Sequence, residues 1–496
     1  MYYPSLKEFL KLSRQGNLIP VYKEINADLD TPVSAYLKIA KNSSYSFLLE
    51  SVEGQEKIAR YSFLGANPAL VFQSVGKNIR ILYPQRKSYC SFNTATDPLD
   101  EMKKLMLDFK VVTPRGLPRF YGGLVGYMGY DTVRFFEKIP DKNPDTLGVA
   151  DTTFMLTDTI LIFDHVNHTI KIVTNVMLPK NNRTFSSSQK EAIYRKAIKK
   201  IENIQRDFNK PVIERRMERR IAHKVTVSSN FTRPAFENIV KKAKQYIRRG
   251  DIIQVVPSQR FEVRLDQGPF DIYRNLRSLN PSPYMFFLKL KEMSLIGASP
   301  EMLVRCEDGI CQTRPIAGTR PRGKTEEKDK KFEKELLASV KERAEHIMLV
   351  DLGRNDVGRV CKAGSVGVAE FMTVERYSHV MHLVSEVRGQ LDKKYDSYDC
   401  LRACFPAGTV SGSPKIRAME IIDELENVKR GPYAGCVGYF SFSHNMDTCI
   451  TIRTILVRGK RAYIQAGCGI VADSVPGKEY QESVNKAKAL IEAIAR

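Results

Sequence analysis

Four glutamates, set as two pairs, are the residues of this chain best placed to do chemistry. Glu342 and Glu345 stand three apart in KERAEHIMLVDL, and Glu479 and Glu482 stand three apart in PGKEYQES. Both stretches read as helices, and residues three apart on a helix share a face. Each pair therefore aims two carboxylates the same way. If the two helices meet, four oxygen donors converge. Such a set suits Mg²⁺, a hard cation that keeps several waters and pairs with anionic groups. Two unrelated solvated helix faces would show the same spacing.

Further candidates sit among glycines. Residues 407–415, AGTVSGSPK, look like a phosphate loop, but a Walker A motif ends in G-K-[ST], and here Ser413 and Pro414 separate Gly412 from Lys415. The pattern reads as a helix start, with Ser413 as cap and Pro414 in the first turn, and a helix start can receive a carboxylate. In AGCG, residues 466–469, the glycines let backbone amides approach an anion; a tight turn is the other reading. Arg453, read as part of a strand TIRT, is either a bidentate carboxylate binder or a rim ion pair. Gly123, Gly126 and Gly129 do not form G-x-G-x-x-G, and close strand packing explains them. Glutaminase chemistry is absent. None of the seven histidines has an acid two residues on, and neither Cys436 nor Cys468 sits in G-x-C-x-G. The nine cysteines are odd in number and contain no C-x-x-C, which argues against a disulfide framework or a zinc site and for buried thiols in a reducing compartment.

These groups need rigid supports. Between residues 15 and 175 short β-rich runs alternate with turns: SYSFLLESV, LVFQSV, IRILYP, TILIFDHV and TIKIVTNVML. From Phe231 helices and strands mix. FENIVKKAKQYIRRG is an amphipathic helix closed by Gly250, IIQVVPSQRFEV, SPYMFFLKL and CITIRTILV read as strands, and FEKELLASVKERAEHIMLVDL reads as one long helix. A helix is expected over Pro414–Leu425 and another over Lys478–Ala495. The predicted class is α+β, with large antiparallel sheets packed as a sandwich and helices on their flanks. The expected division is an N-terminal region 1–177, a charged helical linker 178–230 and a catalytic region 231–496. No apolar run approaches the ~20 residues of a membrane helix, and the first residues carry no signal or transit pattern, so a cytoplasmic protein is expected. The net charge of +22 fits nucleic-acid binding, attraction of an anionic substrate or acidic partner, or a lysine-rich solvated surface. Its densest stretch, Lys196 to Lys224, mixes in acids and reads as a surface helix and linker, with no nucleic-acid-binding motif beside it.

Ordered blocks along the chain, among them GDIIQVVPSQRF, LNPSPYMFFL, GASPEML, RPIAGTRPRG, EHIMLVDLGRND, FPAGTVSGSPKIRAMEII, GPYAGCVGY and QAGCGIVADSVPGKEYQES, resemble the chorismate-utilising enzymes. The likeness is closest to the anthranilate synthase component I (large-subunit) family and covers about residues 15–175 and 230–490. It implies that Glu345 and Glu482 ligate Mg²⁺, with Glu342 and Glu479 acting through water. It implies that Gly467, Cys468 and Gly469 bind a substrate carboxylate by backbone amides, that Arg453 and Tyr433 hold the enolpyruvyl carboxylate, and that Gly318 and Thr319 line the pocket. Glu301 becomes the general acid for loss of the C4 hydroxyl, and His382 assists the later loss of pyruvate. Chorismate is a dianion with a poor leaving group, so cations to hold it and an acid to protonate it suit the task.

In water-using relatives a lysine stands where this chain has Gln254, which cannot act as a base; ammonia is then the implied nucleophile. Ala317 stands where aminodeoxychorismate synthases commonly carry a nucleophilic lysine. The resemblance further implies an amidotransferase partner that supplies ammonia from glutamine, a heterotetramer of two synthase and two glutaminase subunits, and feedback inhibition by L-tryptophan. Glu50 and Ser51 in LLES, with Pro283, Tyr284 and Met285, match the tryptophan site. The alternatives are an aminodeoxychorismate or aminodeoxyisochorismate synthase and, outside the class, a basic nucleic-acid-binding protein.

Overall fold

β-branched and aromatic runs fit a pleated, half-buried surface, and here they build two large antiparallel sheets. The computed structural model describes residues 1–51, 60–112, 116–179, 185–212, 225–377 and 380–496. The first sheet has twelve strands. Its order is Tyr2–Tyr3, Leu18–Asn26, Thr169–Met177, Thr159–Asp164, Tyr61–Ala66, Tyr45–Glu50, Tyr284–Leu290, Met293–Ser299, Thr454–Arg458, Arg461–Gly467, Ser258–Arg264 and Val227–Ser229. The second runs from Ile316–Pro321 through Val380–Gln390, Ile310–Thr313, Met302–Glu307, Met446–Ile450 and Cys436–Ser441 into Gly123–Met128, Thr152–Thr157, Leu70–Val75, Asn78–Tyr83 and Ser88–Asn93. The sheets pack face to face, with the Phe63 ring of the first 6.2 Å from the Tyr439 ring of the second.

The boundaries expected near 177 and 231 do not separate two cores. Met285 lies opposite Glu50 across one ladder, and Gly438 lies opposite Gly126 across another. Phe47, Tyr121 and Phe154 share a core with Phe286, Leu401 and Phe440. The segment expected as a charged helical linker, 178–230, carries a helix at Ser187–Phe208. Its helix buries Tyr194, Ala197 and Ile201 against the first sheet, beside Phe163 and Ile172. Residues 180–184 and 213–224, including the end of the charged run, lie outside the described residues.

Among the described residues there are eleven α-helices: α1 (Leu6–Leu12), α2 (Pro32–Ile39), α3 (Pro98–Leu107), α4 (Ser187–Phe208), α5 (Arg233–Arg248), α6 (Pro269–Leu279), α7 (Glu326–Ala338), α8 (Val340–Gly358), α9 (Ser397–Cys404), α10 (Lys415–Leu425) and α11 (Pro476–Ala495). The apolar faces of α1, α2, α4, α6 and α11 cover the outer side of the first sheet through Phe9, Tyr36, Tyr194, Tyr273 and Leu490. α5 and α10 bury Phe236, Val240, Ile421 and Ile422 around Cys468 and Ile470. No helix among the described residues is long and apolar enough to cross a membrane.

Four expectations change. The long helix read through 332–352 is two, α7 and α8, because Ser339 leaves helical geometry (ψ 109°) and its hydroxyl accepts the Glu342 amide. CITIRTILV is two strands in different sheets, Met446–Ile450 in the second and Thr454–Arg458 in the first, so Arg453 lies at the crossing and not in a strand. IIQVVPSQRFEV divides at Pro257, which has no N–H for a ladder. Ser413 caps nothing. It pairs with Gln254 in a two-strand ribbon, and α10 begins at Lys415 without a side-chain cap. Gly126 holds as read: a Cβ there would lie 1.9 Å from the Thr153 carbonyl oxygen.

Candidate active site

The strand Arg461–Gly467 continues past its end beside residues 255–258. Ser258 pairs with Gly467, and Val255 pairs with Ile470 in the same register. Along an antiparallel ladder successive backbone groups alternate in direction. The Cys468 amide therefore faces the neighbouring chain and donates to the Pro257 carbonyl at 3.3 Å. Gly467 and Gly469 turn their amides the other way, and the Gly469 amide makes no hydrogen bond among the described residues. Of the three amides assigned to a substrate carboxylate, two are placed to receive an anion and that of Cys468 is engaged in the ladder.

Cationic and phenolic groups gather at this open end. A Cβ on Gly467 would lie 3.0 Å from the Tyr433 hydroxyl, so glycine is what lets the phenol reach the strand end. Arg453, held at φ 50° where the chain crosses between sheets, donates to the Lys486 carbonyl at 3.0 Å. Burial pulls its pKa down, with Tyr433 and Glu482 opposing. Burial pushes the Tyr433 phenol up, and the Arg430 guanidinium 5.5 Å from its ring works against that. Lys486 was not singled out from the sequence. Its ammonium bonds the Gly467 carbonyl at 2.9 Å and Glu482 at 2.8 Å, and its field reaches Glu301, Glu345 and Glu479. The available signal was its position four residues after Glu482 on one helix face.

Glu301 follows the strand Met293–Ser299 and is 7% exposed. Burial raises its carboxyl to about 8, against smaller opposing effects from the Thr409 hydroxyl and the Ile316 amide. It is therefore protonated at neutral pH and can donate. His382 lies opposite Thr319 across a bulge at Gly318, whose φ is 62°. Its Nδ1 is 3.0 Å from the Gly318 carbonyl and 3.1 Å from the Thr319 hydroxyl. Burial lowers its pKa, so the ring is neutral, and the carbonyl assigns the proton to Nδ1 and leaves Nε2 as acceptor. The Gln254 amide nitrogen packs against Gly469, and its Oε1 is buried without a partner among the described residues.

The four glutamates lie on α8 and α11, as their spacing predicts. Burial raises Glu345, and Glu342 and Glu482 raise it further, so the two helices bring their acids within electrostatic reach. Burial raises Glu479, with Glu482 adding to it. Glu342 also pairs with Arg320 at 3.2 Å. Among the described residues no three His, Cys, Asp or Glu side chains are gathered as a metal cluster. The donors are all hard carboxylate oxygens under mutual repulsion, which is the chemistry a hard divalent cation fits.

A second pocket opens between the sheets, and Glu50, Ser51, Pro283, Tyr284 and Met285 all line it, with Phe63 and Tyr439 as aromatic walls. Glu50 accepts from Tyr273 and from Arg277 at 3.0 and 3.1 Å. Asp447 accepts from Tyr284 and Arg305, each at 3.0 Å. The Ser51 hydroxyl is buried with no partner among the described residues.

Residues 44–492 match the family described as chorismate binding enzyme. Anthranilate synthase component 1 of Aquifex aeolicus is 50% identical over 99% of this chain and 97% of its own length. That of Acetivibrio thermocellus is 48% identical over 100% and 99%. The crystal structure of anthranilate synthase component I from Streptococcus pneumoniae superposes with a TM-score of 0.78 at 36% identity, over 95% of this chain and 99% of that one. The menaquinone-specific isochorismate synthase MenF of Escherichia coli shares the fold, with a TM-score of 0.69 at 18% identity over 99% and 98%. The chain belongs to the chorismate-binding enzymes, in the anthranilate synthase component 1 family.

Proposed function

We propose that this chain converts chorismate and ammonia to anthranilate, pyruvate and water, as the synthase subunit of a tryptophan-biosynthetic lyase. One observation carries the reading: Glu301 is buried, which pushes its carboxyl up to about 8, within the field of Lys486, whose ammonium holds the Gly467 carbonyl at the open end of a glycine cradle. Arg453 and Tyr433 take the enolpyruvyl carboxylate. The amides of Gly467 and Gly469 take a carboxylate oxygen. Glu301 gives its proton to the C4 hydroxyl as ammonia bonds to C2 and both ring double bonds shift by one position, so water leaves C4. The unpartnered Gln254 oxygen accepts an N–H of the incoming ammonia, and an amide there gives water no base to activate it. Loss of the C2 proton and of pyruvate then makes the ring aromatic, with the free Nε2 of His382 able to take a proton. Glu345 and Glu482 would hold Mg²⁺, with Glu342 and Glu479 through water, and the ion would neutralise the ring carboxylate.

Ammonia comes from glutamine through a separate amidotransferase subunit, in a cytoplasmic heterotetramer of two chains of each kind. L-Tryptophan binds the pocket between the sheets and inhibits. The test is turnover of chorismate with ammonium and Mg²⁺, with and without tryptophan, followed by product fluorescence. Anthranilate formation, lost on chelation and suppressed by tryptophan, is expected. An accumulating amino intermediate or a p-aminobenzoate precursor would reassign the chain within its family.

A further inference from the structure

Five of the nine cysteines converge at a place the reaction does not use. Cys306 and Cys311 lie directly opposite one another in a hairpin. Cys400 and Cys404 lie one turn apart on α9, and Cys361 follows α8 and packs beneath Gly389. Gly389 in turn lies directly opposite Cys311 across the neighbouring ladder. All are free thiols, and Cys361 alone among the five is half-buried rather than buried. The Cys400 sulfur lies 2.8 Å from that of Cys311.

Buried thiols often serve as small apolar groups, and four of these lie in the main core. Simple packing needs no such convergence of reactive atoms. From 2.8 Å, the Cys311 and Cys400 sulfurs must approach by roughly 0.8 Å to reach a bond of about 2.05 Å. Cys361 is half-buried, the most accessible of the five, and its sulfur packs beneath the residue that lies directly opposite Cys311.

We propose that Cys311 and Cys400 form a reversible disulfide when the protein meets a peroxide, with Cys361 as the point of entry. The Cys361 sulfur takes one oxygen from hydrogen peroxide, giving a sulfenic acid and one water. The Cys311 thiol attacks that sulfur, and its proton leaves with the hydroxyl as a second water. The Cys400 thiol then attacks Cys311, and Cys361 departs as a thiol. Two thiols lose two electrons and two protons, and one peroxide becomes two waters. The bond ties α9 to the strand Ile310–Thr313. α9 leads to Thr409 and that strand ends at Thr313, and Glu301, Thr313 and Thr409 line one cavity. Oxidation therefore clamps together the two segments that flank this acid, whatever reaction it serves.

The full chain should be treated with hydrogen peroxide, alkylated and digested without reduction, then mapped by mass spectrometry. A peptide pair joining Cys311 to Cys400, two hydrogens lighter than the free thiols and released by dithiothreitol, is expected. Its rate should fall at least roughly tenfold in Cys361→Ser. The melting temperature should rise on oxidation of the wild type and stay unchanged in Cys400→Ala. If that variant does not fold, the wild-type map alone decides. Oxidation confined to Cys90 and Cys361, with Cys311 and Cys400 recovered as thiols, overturns the proposal. Undiminished linkage in Cys361→Ser overturns the route of entry.

Discussion

A carboxyl can be an acid at neutral pH only if its surroundings refuse its charge, and Glu301 meets that condition by burial. Its folded pKa of about 8 lies above the ordinary value of 4.5. The stability tied to its neutral form is therefore complete below the unfolded pKa and is lost as pH rises through about 8. Glu301→Gln keeps a neutral side chain of similar shape. Its melting temperature should depend less on pH than that of the wild type between the ordinary value of 4.5 and about pH 8. Its kcat at saturating free ammonia should fall at least about 10²-fold, and the wild-type decline above about pH 8 should vanish with it. Equal pH profiles for the two proteins would remove Glu301 from the acid role. Arg430 shows the opposite design. It is 1% exposed, pairs with Glu426, and lies 4.7 and 5.5 Å from the rings of Tyr130 and Tyr433. Glu426 in turn accepts from the amide and hydroxyl of Ser258, beside the Pro257 carbonyl that fixes Cys468. Arg430→Met leaves a carboxylate buried without its partner and should cost about 3–5 kcal/mol, read from urea unfolding.

Helices α7 and α8 are separate because one serine turns the chain, and that turn sets where Glu342 and Glu345 point. Ser339→Ala removes the hydroxyl that accepts the Glu342 amide, so it should lower unfolding stability by about 1 kcal/mol. It should also raise the Mg²⁺ concentration needed for half-maximal turnover more than it lowers kcat. A change in kcat alone would show that the break does not position the acids. The run EKELLASVKERAEH contains no glycine or proline, and the one sequence signal for its break is the S-x-x-E pattern of Ser339 and Glu342, which an unbroken helical periodicity hides. The same holds for CITIRTILV, whose unbroken β-pattern hides a crossing between sheets at Arg453. Periodic segments such as α5 and α11 were legible, because one face of each must be apolar to cover its neighbour. The residue types of the site were legible too. Their directions were not: alternation along the ladder engages the Cys468 amide and presents those of its two glycine neighbours.

At the scale of the whole molecule, what matters is that both sheets are woven from the two ends of the chain. A pocket lined by Glu50 and Ser51 near one end is therefore continuous with the strands that carry Glu301 nearer the other. Tyr284 lines the inter-sheet pocket and pairs across its hairpin with Ser299, two residues before Glu301. Tyr284 also bonds Asp447, on the strand whose Ile450 amide donates to the Glu301 carbonyl at 3.1 Å. Two routes of backbone and side-chain bonds thus join the pocket to the proposed acid, each a single strand long. Continuity permits coupling and does not prove it, because an inhibitor acts only if the pocket differs between active and inactive arrangements. Ser51→Arg tests this. A guanidinium beside Arg119 and Arg305 would crowd the pocket with like charge and remove the unpartnered hydroxyl, while touching no residue of the active site. Tryptophan inhibition should weaken at least about tenfold, with kcat changed less than about twofold. In the wild type, saturating chorismate should weaken tryptophan binding by the same factor by which tryptophan weakens chorismate binding, measured by calorimetry. Inhibition retained in Ser51→Arg would move the tryptophan site elsewhere. No effect of either ligand on the binding of the other would show that the two do not bias one shared equilibrium.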